Sequence, residues 1–165
     1  KLKGKPLICK TGHTFIKQKI RETDALLGGE MSGHIFFNDR WPGFDDGIYA
    51  GARMLEIIAN SKQDDPFVTV PNMLSTPEIN IPASDEEKFQ IVKTFIENSN
   101  FSDAKIVSID GIRVEFEKGW GLLRPSNTSP CLVLRFEAET NDDLKKIKEI
   151  FYLGLKSIKP NINKF

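Results

Sequence analysis

The stretch KIVSIDGIRVEF, residues 105–116, decides the fold of the second half of this 165-residue chain. Two apolar runs, 105–109 and 112–116, flank Asp110-Gly111, a dipeptide that favours the tight turn of a β-hairpin. The second run alternates apolar with charged residues, which is typical of a strand that buries one face. The stretch therefore predicts two antiparallel strands of a half-buried sheet.

Two further strands and two helices are predicted around this hairpin. Residues 120–124 and 131–137 are strand candidates, Ser84 opens a capping box for a helix to residue 99, and Thr140 caps a last helix. The order helix, four antiparallel strands, helix predicts an α+β domain with both helices on one sheet face. The other face would meet solvent or a partner domain. The helical positions predicted to face inward are Phe89, Val92, Ile96, Leu144, Ile147, Phe151 and Leu155.

The first half has an α/β pattern. A short apolar run at 6–9 predicts a buried strand, and the spacing of apolar residues predicts a helix over 14–24. Residues 25–27 and 35–37 are strand candidates on either side of a glycine-rich turn. Residues 60–77 are polar, contain three prolines and lack periodicity, so we place a linker there and a domain boundary after it.

Composition excludes several classes of protein at this stage. Basic and acidic residues number 23 each, and a zero net charge argues against a protein that coats nucleic acid. No apolar run is long enough for a transmembrane helix, and no secretory signal is recognisable. Cys9 and Cys131 are far apart in sequence, so we expect a reducing, cytoplasmic location. The start at Lys1 suggests a piece of a longer protein.

The segment 28–34 is the most unusual in the chain. In an extended backbone Glu30, Ser32 and His34 would alternate onto one face and present an acceptor, a hydroxyl and an imidazole. Such a set suits the hydroxyls of a sugar, and flanking glycines allow close approach of the backbone. A hairpin turn with solvated polar side chains is an equally good interpretation.

Metal binding is a weaker interpretation of the same region. His13, Glu30 and His34 offer ligand atoms, but their spacing matches no standard metal motif. Asp45-Asp46 could bind Mg²⁺, although an acidic pair before a helix more often caps it and favours its dipole.

The loop RPSNTSP, residues 124–130, is a candidate anion site. Arg124 can bind phosphate through two parallel hydrogen bonds, and backbone N–H groups of the loop could add an anion nest. A proline-bounded surface turn has a similar composition.

Four motifs together resemble a known family. KTGH (10–13), GEMSGH (29–34), GFDDG (43–47) and RPSNT (124–128) occur in the order of the α-D-phosphohexomutases, the superfamily of bacterial phosphomannomutase/phosphoglucomutase. The resemblance runs over nearly the whole chain. It implies a protein of four domains around a cleft, in which domain 1 carries a phosphoserine loop and domain 2 an Mg²⁺ loop.

The resemblance also implies how this chain is divided. Residues 1–77 correspond to the later part of domain 3, a partial α/β/α sugar-binding domain whose linker is 60–77. Residues 78–165 correspond to domain 4, a four-stranded antiparallel sheet with two helices of the TATA-box-binding-protein-like type. Domains 1 and 2 and the start of domain 3 would be missing, and with them the phosphoserine and metal loops.

Site residues follow from the resemblance by position. It implies that Glu30, Ser32 and His34 contact sugar hydroxyls, with His34 also a candidate for proton transfer, and that His13 lies beside the sugar or its phosphate. The residues implied to hold the non-reacting phosphate are Arg124, Ser126, Asn127 and Thr128.

The family's reaction interconverts hexose 6-phosphate and hexose 1-phosphate through the phosphoserine and a 1,6-bisphosphate. The resemblance thus implies a hexose phosphate substrate, Mg²⁺ bound outside this chain and glucose 1,6-bisphosphate as intermediate. We expect the chain alone to be inactive, with neither nucleic acid nor membrane as partner. A stand-alone module that binds a sugar phosphate or a protein is the alternative.

Overall fold

The computed structural model of the chain describes residues 4–101 and 103–165. Its backbone contacts separate into two compact units, Lys1–Val70 and Pro71–Phe165. Each unit has its own apolar core, and each is described by itself below.

The first unit contains two helices and a two-stranded antiparallel hairpin. Its elements are α1 (His13–Thr23), β1 (Leu27–Gly29), β2 (Ile35–Phe37) and α2 (Gly47–Asn60). Ile16 and Ile20 of α1 pack with the fully buried Phe36 of β2. A Cβ at Gly28 would lie 2.7 Å from a methyl carbon of Ile16, so glycine is what lets the hairpin pack this closely under α1.

Helix α2 is attached to β2 through polar and aromatic contacts. Asp46 caps the helix by accepting the Tyr49 backbone N–H at 2.9 Å. The Arg53 guanidinium donates to Asp39 at 2.8 Å and lies over the Phe37 ring, 4.4 Å from its centroid. No residue of α2 is buried, and its large aliphatic residues are all exposed, namely Ile48, Met54, Leu55, Ile57 and Ile58.

The strand predicted at 6–9 is wrong. These residues form no strand, and Leu7 and Ile8 are exposed. A strand needs a neighbour for its N–H and C=O groups, and within the described part of this unit the one sheet consists of β1 and β2, with residues 6–9 outside it. Residues 6–9 therefore form no β-sheet hydrogen bonds with a neighbouring strand in the described residues.

The second unit is an antiparallel sheet covered by two helices. Its order is β3-β8-β7-β6-β5, and β4 also pairs with β8. The elements are β3 (Leu74–Ser75), β4 (Ile79–Pro82), α3 (Asp85–Asn98), β5 (Lys105–Val107), β6 (Ile112–Phe116), β7 (Gly119–Pro125), β8 (Cys131–Ala138) and α4 (Asn141–Ile158). The four predicted strands, the two helices and their caps are confirmed.

The structure adds two short strands that the sequence did not reveal. Both β3 and β4 lie in or beside the stretch interpreted as a linker, and both pair with β8 on the side away from β7. Each is too short to display a period of two. Pro82 ends β4 at a sheet edge, where a missing N–H is tolerated.

The core of the second unit lies between the helices and one sheet face. Phe136 of β8 and Phe151 of α4 meet edge to face at 5.2 Å, beside Gly121 of β7. A Cβ at Gly121 would lie 2.5 Å from the Phe151 ring, so the absent side chain makes room for the phenyl group.

The inward face of α3 differs from the prediction in one residue. Phe89 is 55% exposed, whereas Lys88, Ile91, Val92 and Phe95 are buried. At about 100° per residue, Phe89 lies about a third of a turn from the centre of this buried stripe. The prediction placed the stripe one position too far around the helix.

Candidate functional site

Three motifs of the first unit converge at the N-terminus of α1. The Gly12 backbone N–H, just before α1, donates to Glu30 Oε1 at 2.7 Å. The His13 and His34 rings meet edge to face with centroids 4.3 Å apart. Asp45, in the loop before α2, contacts both rings. The structure thus brings together Glu30, His34 and His13, three of the four sugar-binding residues predicted from sequence.

The loop that carries Glu30 and His34 is a closed turn. The Glu30 N–H donates to His34 O at 2.9 Å, and the Gly33 N–H donates to Glu30 O at 3.0 Å. Gly33 has φ +93°, which glycine adopts without strain. The predicted extended backbone is therefore wrong: the segment is a hairpin turn, in which the Glu30 and His34 side chains are half-buried and not simply solvated. Ser32 is exposed at the tip, while Glu30 and His34 stand at the base.

The sequence indicates Asp45 only as a helix cap or an Mg²⁺ ligand, and sequence reasoning missed its contacts with the two histidines. Its Oδ2 lies 2.7 Å from His34 Nδ1 and 3.6 Å from His13 Nε2, and its Oδ1 accepts the Ile35 N–H at 3.1 Å. The hydrogen bond to His34 lowers the pKa of the Asp45 carboxyl, helped by the Ile35 N–H and the nearby imidazoles.

The adjacent acidic pair therefore has two separate roles. Asp46 caps α2 as predicted, but Asp45 points to the histidines and does not cap the helix. The sequence does not distinguish two adjacent aspartates. In the structure an isolated β-bridge between Phe36 and Asp45 places the loop beside β2.

The metal candidates also differ from those read in the sequence. In the described residues, His13, His34 and Asp45 place one ligand atom each within 4.8 Å of one another. Glu30 is not in this group, and its Oε1 instead accepts the Gly12 N–H.

The loop after β7 is ordered by Ser126. This side chain is only 6% exposed, and its Oγ accepts the backbone N–H groups of Thr128 and Ser129 at 3.3 and 3.1 Å. The Ser126 N–H donates to Cys131 O at 3.0 Å. Asn127 and Thr128 are exposed on the outside of the loop.

The predicted anion nest of backbone N–H groups is wrong for most of this loop. The N–H groups of Ser126, Thr128, Ser129 and Cys131 all donate within the loop. A proline-bounded turn uses its own acceptors to close, and this leaves side chains as the donors that could face an anion.

Arg124 has unused hydrogen-bonding capacity. Its Nη1 is buried without a partner among the described residues, and so is Nε of Arg135. In the β7–β8 register Arg124 is opposite Val133 and Leu122 is opposite Arg135, so the two arginines are diagonal neighbours on one face. That face is opposite the helices, because the intervening Leu123 is fully buried in the core.

Arg135 was not among the predicted site residues. The signal was nevertheless present, because residues 132, 134 and 136 of β8 point inward and the alternation places 135 on the same side as 124. Its proximity to Arg124 depends on the register between strands, which the sequence does not display.

Known proteins share both units. The family description "Phosphoglucomutase/phosphomannomutase, alpha/beta/alpha domain III" matches residues 1–68, and "Phosphoglucomutase/phosphomannomutase, C-terminal domain" matches residues 78–153. The chain belongs to the phosphoglucomutase/phosphomannomutase family. This confirms the resemblance on the four sequence motifs and the fold class expected from it.

Individual relatives of this chain carry the names of the same family. A phosphomannomutase/phosphoglucomutase of Pseudomonas syringae pv. tomato is 51% identical over 97% of this chain and 35% of its own length. A phosphoglucomutase of Neisseria meningitidis is 46% identical over 96% of the chain and 35% of its own length. A solved structure of a phosphoglucomutase/phosphomannomutase family protein from Burkholderia thailandensis matches 98% of this chain and 35% of that one, with 47% identity and a TM-score of 0.87.

The chain thus spans about a third of the length of the relatives it matches. Among the helices of the described residues, none has the length and apolar character needed to cross a bilayer.

Proposed function

We propose that this chain is the sugar- and phosphate-recognising part of a phosphomannomutase/phosphoglucomutase. The whole enzyme would interconvert hexose 6-phosphate and hexose 1-phosphate through a phosphoserine and a 1,6-bisphosphate such as glucose 1,6-bisphosphate. Residues 1–77 would supply part of the sugar-binding domain and residues 78–165 the phosphate-binding domain. The cytoplasmic location stays a prediction.

The observation that carries this proposal is the unpartnered Nη1 of Arg124. A buried guanidinium N–H without an acceptor is costly, and a phosphate oxygen would satisfy it with a charge-assisted hydrogen bond once the side chain turns toward solvent. The exposed side chains of Asn127 and Thr128 stand on the same loop and would add neutral donors. Ser126 would act chiefly by holding the loop in shape.

Sugar hydroxyls would bind at the convergent residues of the first unit. The hydrogen bond from Gly12 leaves Glu30 with acceptor capacity, and Ser32 offers a hydroxyl at the tip of the turn. An ionised Asp45 can only accept, so His34 carries its proton on Nδ1. Its Nε2 is then the nitrogen left to accept a proton or a hydrogen bond from a sugar hydroxyl.

Mg²⁺ would be held by a part of the enzyme outside this chain. Magnesium prefers an octahedral shell of oxygen ligands and water, and the group of two imidazoles and one carboxylate does not fit it. In this proposal the residues of the chain bind and orient the hexose phosphate, and phosphoryl transfer depends mainly on such positioning.

The proposal is tested in the full-length enzyme with Arg124→Ala. Loss of a charged contact of about 1.5–3 kcal/mol predicts a roughly tenfold to hundredfold lower kcat/KM for mannose 1-phosphate or glucose 1-phosphate. Lys145→Ala removes an exposed cation on α4 and is the matched control, with kcat/KM unchanged. Equal activity of the Arg124 variant and the control would refute the phosphate site.

The isolated chain provides a second test. We expect no turnover of either sugar phosphate and weak or absent binding in calorimetry. Turnover by these 165 residues would contradict the proposal that this chain only recognises the substrate and that catalysis needs the other domains. Tight binding of glucose 1-phosphate without turnover would favour the stand-alone module.

A further inference from the structure

We propose that His13, His34 and Asp45 form a binding site for a transition-metal ion of the Zn²⁺ type. We further infer that the ion competes there with the hexose phosphate. The metal site stands on the geometry of the first unit alone. Only the competition rests on the proposed function.

The distances from Asp45 to both histidines are close to those of a small-ion site. Two ligands of a tetrahedral zinc site, each about 2.0–2.1 Å from the metal, are about 3.3 Å apart. Asp45 Oδ2 is 3.6 Å from His13 Nε2 and 2.7 Å from His34 Nδ1. The three ligand atoms lie within 4.8 Å of one another, so the two histidine side chains would have to turn inward by up to about 1.5 Å, with a smaller shift at Asp45, to hold one ion, and the Nδ1 proton of His34 would be released to water.

The donor set determines which metal is expected. Two imidazole nitrogens and one carboxylate oxygen suit Zn²⁺, Co²⁺ and Ni²⁺, whereas Mg²⁺ and Ca²⁺ select oxygen ligands. Three protein ligands leave the fourth tetrahedral position open for water or an external ligand. The chain has only these two histidines, so a metal bound through imidazole can be assigned without ambiguity.

Backbone contacts hold the ligands in place before any ion arrives. Asp45 Oδ1 accepts the N–H of Ile35, the residue after His34. Glu30 Oε1 accepts the N–H of Gly12, the residue before His13. These contacts join the loop before α2, the hairpin and the start of α1, and they are the kind of outer support that metal sites use.

Exposure is sufficient for an ion to enter from solvent. The side chains of His13 and His34 are each a little under half exposed, and that of Asp45 is about a quarter exposed. An ion here would engage both histidines assigned to the sugar. Metal and hexose phosphate would therefore exclude each other.

The metal site is tested on the 165-residue chain with Co²⁺ as the spectroscopic probe. We expect one equivalent to give the visible absorption of four- or five-coordinate Co²⁺, displaced by one equivalent of Zn²⁺ and not by excess Mg²⁺. His13→Ala and Asp45→Asn should each weaken Zn²⁺ binding at least tenfold in calorimetry, with the circular dichroism of the wild type. Cys9→Ser should bind as the wild type does.

Each other outcome would overturn the site. The first is the absence of visible absorption with Co²⁺. The second is Zn²⁺ binding by the His13 and Asp45 variants that is as tight as that of the wild type. The third is loss of binding in Cys9→Ser together with a sulfur-to-metal charge-transfer band in the wild type. Asp45→Asn keeps the side-chain shape, so it remains informative if His13→Ala fails to fold.

Competition is measured separately in the full-length enzyme. Saturating glucose 1-phosphate should change or abolish the Co²⁺ absorption in proportion to its occupancy, which calorimetry measures independently. An unchanged spectrum with the sugar phosphate bound would refute the competition and leave the metal site intact. Failure of the proposed function is distinguished by the Arg124→Ala kinetics, which involve no transition metal.

Discussion

Lys88 Nζ donates to the carbonyl oxygen of Ser129 at 3.1 Å, which joins helix α3 to the loop after β7. Lys88 is 4% exposed, and its ammonium also binds Asp85 Oδ1 at 2.6 Å. A buried lysine is rare unless its charge has such partners. The contact makes α3 a support for the loop to which we assign the phosphate.

Lys88→Met should loosen this loop with little change in overall stability. Methionine keeps the apolar stem and removes a desolvated charge, so we expect the free energy of unfolding to change by no more than about 1 kcal/mol. The amide protons of Thr128 and Ser129 should exchange about tenfold faster, measured by NMR. Lys93→Met, exposed on the same helix, is the control. Unchanged exchange in the Lys88 variant would contradict the supporting role.

Ser126→Ala should destabilise the second unit. The substitution leaves two backbone N–H groups without their acceptor, at a cost of about 1–3 kcal/mol. Urea unfolding followed by Trp120 fluorescence in a Trp41→Phe background measures it. Asn127→Ala, exposed on the same loop, should leave the midpoint unchanged. Equal midpoints for the two variants would argue against this role of Ser126.

The Asp39 carboxyl should have a pKa well below that of an ordinary aspartate. The hydrogen bond from Arg53 holds the pKa of Asp39 at about 2, compared with 3.8 for the free group. Because the folded-state pKa is lowered, the pair's contribution to stability is present above pH 3.8 and is lost as the pH falls through about 2.

NMR titration of the Asp39 carboxyl carbon tests this value. We expect the pKa to rise toward 3.8 in Arg53→Met and to remain at about 2 in Arg21→Met, which removes an exposed arginine of α1. A pKa of Asp39 that is the same in both variants would exclude Arg53 as the cause.

Two glycine substitutions should have opposite effects. Gly121→Ala would bring a methyl group 2.5 Å from the Phe151 ring, and such overpacking costs about 1–3 kcal/mol. Gly51→Ala lies on α2 with open space around it and should stabilise the first unit by about 0.5–1 kcal/mol. Thermal unfolding measures both, and a neutral Gly121→Ala would mean that the helix-covered core is loosely packed.

Sequence patterns predicted the elements whose signals are local. The alternation of β6 and the caps Ser84 and Thr140 each depend on neighbours within a few residues, and the structure has them. The strands β5 and β6 do form a hairpin around Asp110-Gly111, but Val107 pairs with Arg113, so the connection is longer than the predicted two-residue turn. The four sequence motifs likewise indicated the family without any coordinates. Short segments such as β3 and β4 were missed, since two to four residues carry no measurable period.

By itself, then, the sequence determined the fold class and the family, and it predicted which loops carry the chemistry. Only the tertiary structure decided which side chains from separate elements bind each other. Asp45 reaches His34 across 11 residues, and Lys88 reaches Ser129 across 41. The physical reason is that periodicity records which face of one element is buried, whereas these contacts depend on how turns and strand register place separate elements against each other. A carboxylate that appeared to be a helix cap became the partner of two histidines for that reason.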